Sequence, residues 1–137
     1  GGRGHLFGVE SSDGAVSASE KWTTRAQAYM STPVLIDGHA YVYLRSKRLC
    51  CVDLASGDVK WTSSSIADEY WSMVTNGDRF LALTESGELC LLRANTEEFD
   101  LIDQIEVADS ETWAHLAIDG DQILIRELDG LSAFTWR

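Results

Sequence analysis

The chain has 137 residues, 45% hydrophobic and 24% charged, the balance of one ordinary globular domain with a core of its own. Its net charge of −11 is spread along the chain without basic clusters, which argues against a nucleic-acid partner. No apolar run is long enough for a membrane span, and three cysteines without Cys-x-x-Cys or Cys/His spacing make neither a disulfide framework nor a zinc site.

The first predicted strand is Leu6-Phe7-Gly8-Val9-Glu10, followed by a second over 15–22. Pro33-Val34-Leu35-Ile36 then leads into Asp37-Gly38 and a strand over 40–44. The polar turn Arg45-Ser46-Lys47 precedes Leu49-Cys50-Cys51-Val52-Asp53, and a fourth strand runs over 58–63. The same order returns twice. Ser72-Met73-Val74-Thr75 precedes Asn76-Gly77, and strands follow over 79–83, 89–93 and 99–107. His115-Leu116-Ala117-Ile118 precedes Asp119-Gly120, and strands follow over 122–126 and 131–135. Asp-Gly and Asn-Gly between apolar runs predict hairpin turns, because both residues tolerate positive φ.

The Leu-led strands start at Leu6, Leu49, Leu89 and Leu131, spacings of 43, 40 and 42 residues. The turn pairs at Asp37, Asn76 and Asp119 repeat at 39 and 43. Tyr41-Val42-Tyr43-Leu44 and Phe80-Leu81-Ala82-Leu83 do not alternate polar with apolar, so both faces of these strands are expected to be buried. A four-stranded antiparallel sheet buried on both faces needs a neighbour on each side, and blades stacked around an axis supply one. A period near 40 residues therefore predicts an all-β fold, a β-propeller segment. The expected pieces are a partial blade at 5–24, blades at 31–63 and 70–108, and an incomplete blade at 112–136. About three and a half four-stranded blades fall short of a ring of about 4–8. The expectation is the C-terminal part of a larger propeller, or two copies pairing into a ring.

The stretch Leu49 to Trp61, LCCVDLASGDVKW, resembles the pyrroloquinoline-quinone-like repeat of quinoprotein-type propellers, whose pattern is roughly A-x-D-x-x-T-G-K-x-x-W. Asp53, Gly57 and Trp61 match; Cys51, Ser56 and Asp58 stand where the pattern has Ala, Thr and Lys. The other copies are degenerate. The first keeps Gly14 and Trp22 but has Glu10 for Asp, and the third has Arg93 for Asp, no turn glycine, and Leu101 or Ile102 in place of Trp. The roles are structural. Asp accepts turn N–H bonds, Gly supplies a left-handed residue, and the resemblance implies that Trp packs between blades.

The resemblance spans two functional classes. One is quinone-dependent dehydrogenases, with pyrroloquinoline quinone and calcium at the ring axis. The other is cofactor-free interaction platforms, including the lipoprotein group of outer-membrane assembly. Repeat motifs shared by both cannot choose between them. The preferred reading is a non-catalytic protein-interaction scaffold without cofactor, periplasmic or in the cell envelope as the resemblance implies. The alternative is the C-terminal part of a quinone-dependent dehydrogenase.

Individual residues fit the scaffold reading. Some quinoprotein dehydrogenases join adjacent cysteines by a disulfide, but Cys50 and Cys51 occupy ordinary apolar strand positions and point to opposite faces, so core packing is expected. Cys50 and Cys90 share a repeat column, which leaves a disulfide between adjacent blades open. His5, His39 and His115 accompany no nucleophile pattern; His115 lies on an innermost strand as core or channel wall. Asp119-Gly120-Asp121 is a turn, and no DxDxDG calcium loop occurs. Arg25 and Arg126 are expected near the same axis, with pairing of Arg126 to Glu127 or Asp129 across the sheet as the alternative. Tyr29, Tyr70, Trp71 and Trp113 each precede an innermost strand. They are the candidates for a protein-binding face, with packing between blades as the competing role.

Overall fold

A computed structural model describes residues 2–66 and 68–136. Thirteen strands form four antiparallel sheets, and the described residues contain no helix. The first sheet is the hairpin β1 (Gly4–Ser12) with β2 (Ala15–Thr24). The second runs β3 (Val34–Ile36), β4 (His39–Leu44), β5 (Arg48–Asp53), β6 (Val59–Thr62). The third runs β7 (Trp71–Asn76), β8 (Arg79–Thr84), β9 (Glu88–Arg93), β10 (Asp100–Glu106). The last is β11 (Ala117–Asp119), β12 (Gln122–Arg126), β13 (Leu131–Thr135). Each sheet is a meander with its strands in sequence order, which is the construction of propeller blades.

The hairpins follow their turn residues, with one refinement. Asp37 and Gly38 are both left-handed, at φ 46° and 75°, and form a two-residue loop between Ile36 and His39. Asn76 and Asp119 instead remain paired in their strands, opposite Arg79 and Gln122. The loops there are Gly77-Asp78 and Gly120-Asp121, and only the glycine takes positive φ. One loop type uses two left-handed residues and the other only its first, which shifts the strand end by one position.

The blades stack through three apolar interfaces. Ala40, Val42, Cys50 and Val52 face the first sheet, where Ala26 and Trp22 meet them. Tyr41, Tyr43, Leu49 and Cys51 face the third sheet and pack on Trp71, Met73, Phe80, Cys90 and Leu92. Leu83 and Leu89 face the last sheet, against Leu116, Ile123 and Ile125. Alternate residues of β4 and β5 thus enter different cores, which is why their charged or imidazole side chains, His39, Arg48 and Asp53, stand only at strand ends. Tyr43 and Trp71 stack with ring centroids 4.7 Å apart and an interplanar angle of 4°. Such a pair contributes about 0.5–1.5 kcal/mol beyond its burial.

Hydrogen bonds join the sheets where the chain enters each innermost strand. Ser31 Oγ accepts the Trp71 amide at 3.1 Å, and Ser72 Oγ accepts the Leu116 amide at 2.9 Å. These bonds satisfy amides that no strand of their own sheet reaches.

Candidate protein-binding face

The repeat motif builds the corners that hold this scaffold. Asp53 Oδ1 accepts the amides of Ala55 at 2.8 Å and Ser56 at 3.1 Å. Those two N–H groups, Ser56 first, hold its carboxyl below the usual aspartate range. The bonds leave Gly57 at φ 81°, where a Cβ would lie 2.7 Å from the Trp22 ring. Glycine is therefore required at Gly57 twice over, by conformation and by the approach of the preceding blade's indole. Gly14, at φ 79°, only closes the β1–β2 hairpin, with open space around it.

Both motif tryptophans reach from an outermost strand to the next blade. Trp22 Nε1 donates to the Leu54 carbonyl at 2.8 Å, and Trp61 Nε1 donates to the Asn95 carbonyl at 2.8 Å. Trp61 also lies 6.2 Å from Tyr41 and 6.4 Å from Phe99, between ring centroids. Sequence reading missed the role of Asn95. Its Oδ1 accepts the amides of Glu97 at 2.9 Å and Glu98 at 3.4 Å, capping this turn as Asp53 caps its own. The signal was an Asx residue followed by polar turn residues, displaced two positions from Arg93.

The cysteines and histidines have structural surroundings. Cys50, Cys51 and Cys90 are free thiols, all buried. Cys50 and Cys51 lie in different cores, and Cys90 shares the core of Cys51. Burial, then the neighbouring Cys51, pushes the Cys50 thiol up to about 12; burial, then Glu88, pushes Cys90 up to about 11. All three side chains pack in the cores between blades. His115 Nδ1 lies 2.8 Å from Ser72 Oγ, but that hydroxyl is fully buried and already accepts the Leu116 amide. The pair ties two blades together, with the hydroxyl closed to solvent and the His115 residue exposed. His5 meets Glu20 at 2.7 Å, and His39 lies 3.9 Å from Asp53. Arg126 Nη1 donates to the Gly130 carbonyl at 3.5 Å, and Arg25 and Arg126 are both exposed.

In a meander, the turns after β4, β8 and β12 share one end of the blade with the segments entering β3, β7 and β11. Backbone bonds confirm the pairing: Arg45 N donates to Gln27 O, Glu85 N to Tyr70 O and Leu128 N to Glu111 O. Tyr29, 53% exposed, lies at this end with the Arg45 guanidinium 5.3 Å from its ring centroid. Beside it a shallow recess of about 180 Å³ is lined by Tyr29, Arg45, Lys47 and Glu69, with Lys47 Nζ 3.3 Å from Glu69. Trp113, 39% exposed, stacks on Tyr70 at 5.9 Å and donates its Nε1 to Glu111 at 2.8 Å. Of the four aromatic candidates, Tyr29 and Trp113 stand at the surface and Tyr70 supports Trp113 from beneath. Trp71 is 2% exposed, turned into the core against Tyr43, and has no surface to offer. The described residues contain no group of three or more His, Cys, Asp or Glu side chains placed to hold a metal ion. No helix among them is long and apolar enough to cross a membrane.

These features define a segment of β-propeller. The fold is similar to that of BamB from Moraxella catarrhalis, with 23% identity and a TM-score of 0.62 over 85% of this chain. It is also similar to a europium-containing methanol dehydrogenase, with 16% identity and a TM-score of 0.53 over 73% of this chain. The N-terminal domain of Nup159 is another likeness, at 14% identity and a TM-score of 0.54 over 87%. The chain spans 37%, 19% and 30% of those three chains. No protein-family model matches the sequence, and no curated protein matches it.

Proposed function

We propose that the chain is part of a non-catalytic propeller that binds a protein through the end carrying the entry segments. The supporting observation is the exposed pair Tyr29 and Trp113, held by Arg45 and Tyr70 at one end of the blades. Rigid aromatics beside an arginine are the residue types that dominate protein interfaces. The likeness to BamB supports both the scaffold role and a place in the cell envelope. No cofactor is needed for this reading.

The scaffold has two unfinished flanks. Phe7, Val9 and Val16 are exposed on the first sheet, and Leu131 on the last. Inner sheets of this protein bury both faces, so these flanks are surfaces of the kind that another blade covers, from the rest of the polypeptide or from a second copy.

The likeness to methanol dehydrogenase keeps one alternative, the dehydrogenase reading. Titrating the full-length protein with pyrroloquinoline quinone and calcium separates the two. The scaffold reading expects an unchanged absorbance spectrum and melting curve. A saturable rise in melting temperature overturns it in favour of the dehydrogenase.

A further inference from the structure

The three interfaces between blades are not filled alike. In the second, the outer-strand residue paired with Cys51 is Trp61, and the β4 residue paired with Cys51 is Tyr41. Their rings pack together across the face turned to the next blade. In the third sheet the residue equivalent to Cys51 is Leu91, by its place in the ladder. Its outer partner is Asp103 and its inner partner is Leu81. An indole and a phenol are thus replaced by a carboxylate and an isobutyl group. Val74 keeps the place of Val34, opposite the inner residue of each trio.

A cavity of about 420 Å³ opens beside two of this trio, Leu81 and Leu91. Its apolar wall comes from Leu81 and Leu91 on one blade and Ile118 and Ile123 on the next, with Trp136 at its edge. Asn76, Arg79 and Asp121 form a polar rim. The volume is that of a small-molecule site. The shape that belongs there is given by the twin interface, where a flat indole fills the gap and offers its N–H to a carbonyl of the following blade. A void lined by branched aliphatic side chains forfeits dispersion contacts that a planar ring would restore.

We propose that this gap between the last two blades is a binding site for a small planar aromatic ligand of indole size. It is separate from the entry-segment face, since Asn76 and Gly120-Asp121 belong to hairpin turns at the opposite end of the blades. The ligand takes the position of the missing motif tryptophan, its ring between Leu81, Leu91 and Ile123 and its polar edge toward the rim.

The experiment is thermal melting with indole itself as the probe, on the parent protein and two gap-filling variants. At ten times its dissociation constant, indole is expected to raise the melting temperature by about 3–6 °C. Asp103→Trp places the ring from the chain's own strand, and Leu81→Tyr restores the other half of the twin pair. Either folded variant is expected to lose the indole response, while Asp103→Asn keeps it. No response in the parent protein overturns the proposal, as does a full response in Asp103→Trp or Leu81→Tyr.

Discussion

Replacing Trp71 with alanine is expected to lower the unfolding free energy by about 3–5 kcal/mol, read by denaturant titration. The residue is buried in the second interface, where its ring lies flat on Tyr43 and its amide is held by Ser31. The size of the loss follows from complete burial, because neighbouring sheets cannot close over so large a void. Trp71 Nε1 is buried with no hydrogen-bond partner among the described residues. Trp71→Phe therefore removes ring volume but also an unpaired donor, and is expected to cost at most about 2 kcal/mol. A near-neutral Trp71→Ala would mean that the ring is at the surface, the binding-face role that competed with packing between blades.

A second large effect is expected at Gly87. Its φ is 91°, and a Cβ built on it would overlap the Ala108 carbonyl group. The obstacle is backbone that cannot swing aside, in a turn where Val107 N donates to Gly87 O at 2.9 Å. Gly87→Ala is expected to cost more than about 3 kcal/mol, strain and steric overlap together. Gly77, at φ 63° with nothing within 4 Å of its Cβ position, is the control. Gly77→Ala loses only what the left-handed conformation costs, about 1–2 kcal/mol. Equal losses in the two variants, compared by denaturant titration, would contradict the packing described for Gly87.

Much of this architecture was legible in the sequence because blade stacking acts on every residue of a strand. Tyr41-Val42-Tyr43 has no polar position, and the structure sends its residues alternately into two cores. Asp53 and Gly57 were readable as a corner because each acts locally, by capping or by left-handed turning, and Trp61 because the repeat pattern carries it to the next blade. Other features depend on positions that a pattern does not carry. Trp71 begins β7 directly after a long connection, so strand alternation could not assign its face in advance. Asn95 took over the capping role two residues from the expected place. Asp103 faces Leu91 only because β10 shifts register between Leu101 and Asp103. That one-residue irregularity decides which residue of β10 pairs with Leu91.

The most direct test of the binding face is site-specific photo-crosslinking of the full-length protein in its native cells. Benzoylphenylalanine would be placed singly at Tyr29, Trp113, Leu35 or Val59. The first two lie at the entry-segment end; Leu35 and Val59 are exposed toward the other end. The account predicts protein adducts from Tyr29 and Trp113, suppressed by excess unlabelled protein, and none from Leu35 or Val59. Adducts confined to Leu35 and Val59, or their absence at all four positions, would contradict it.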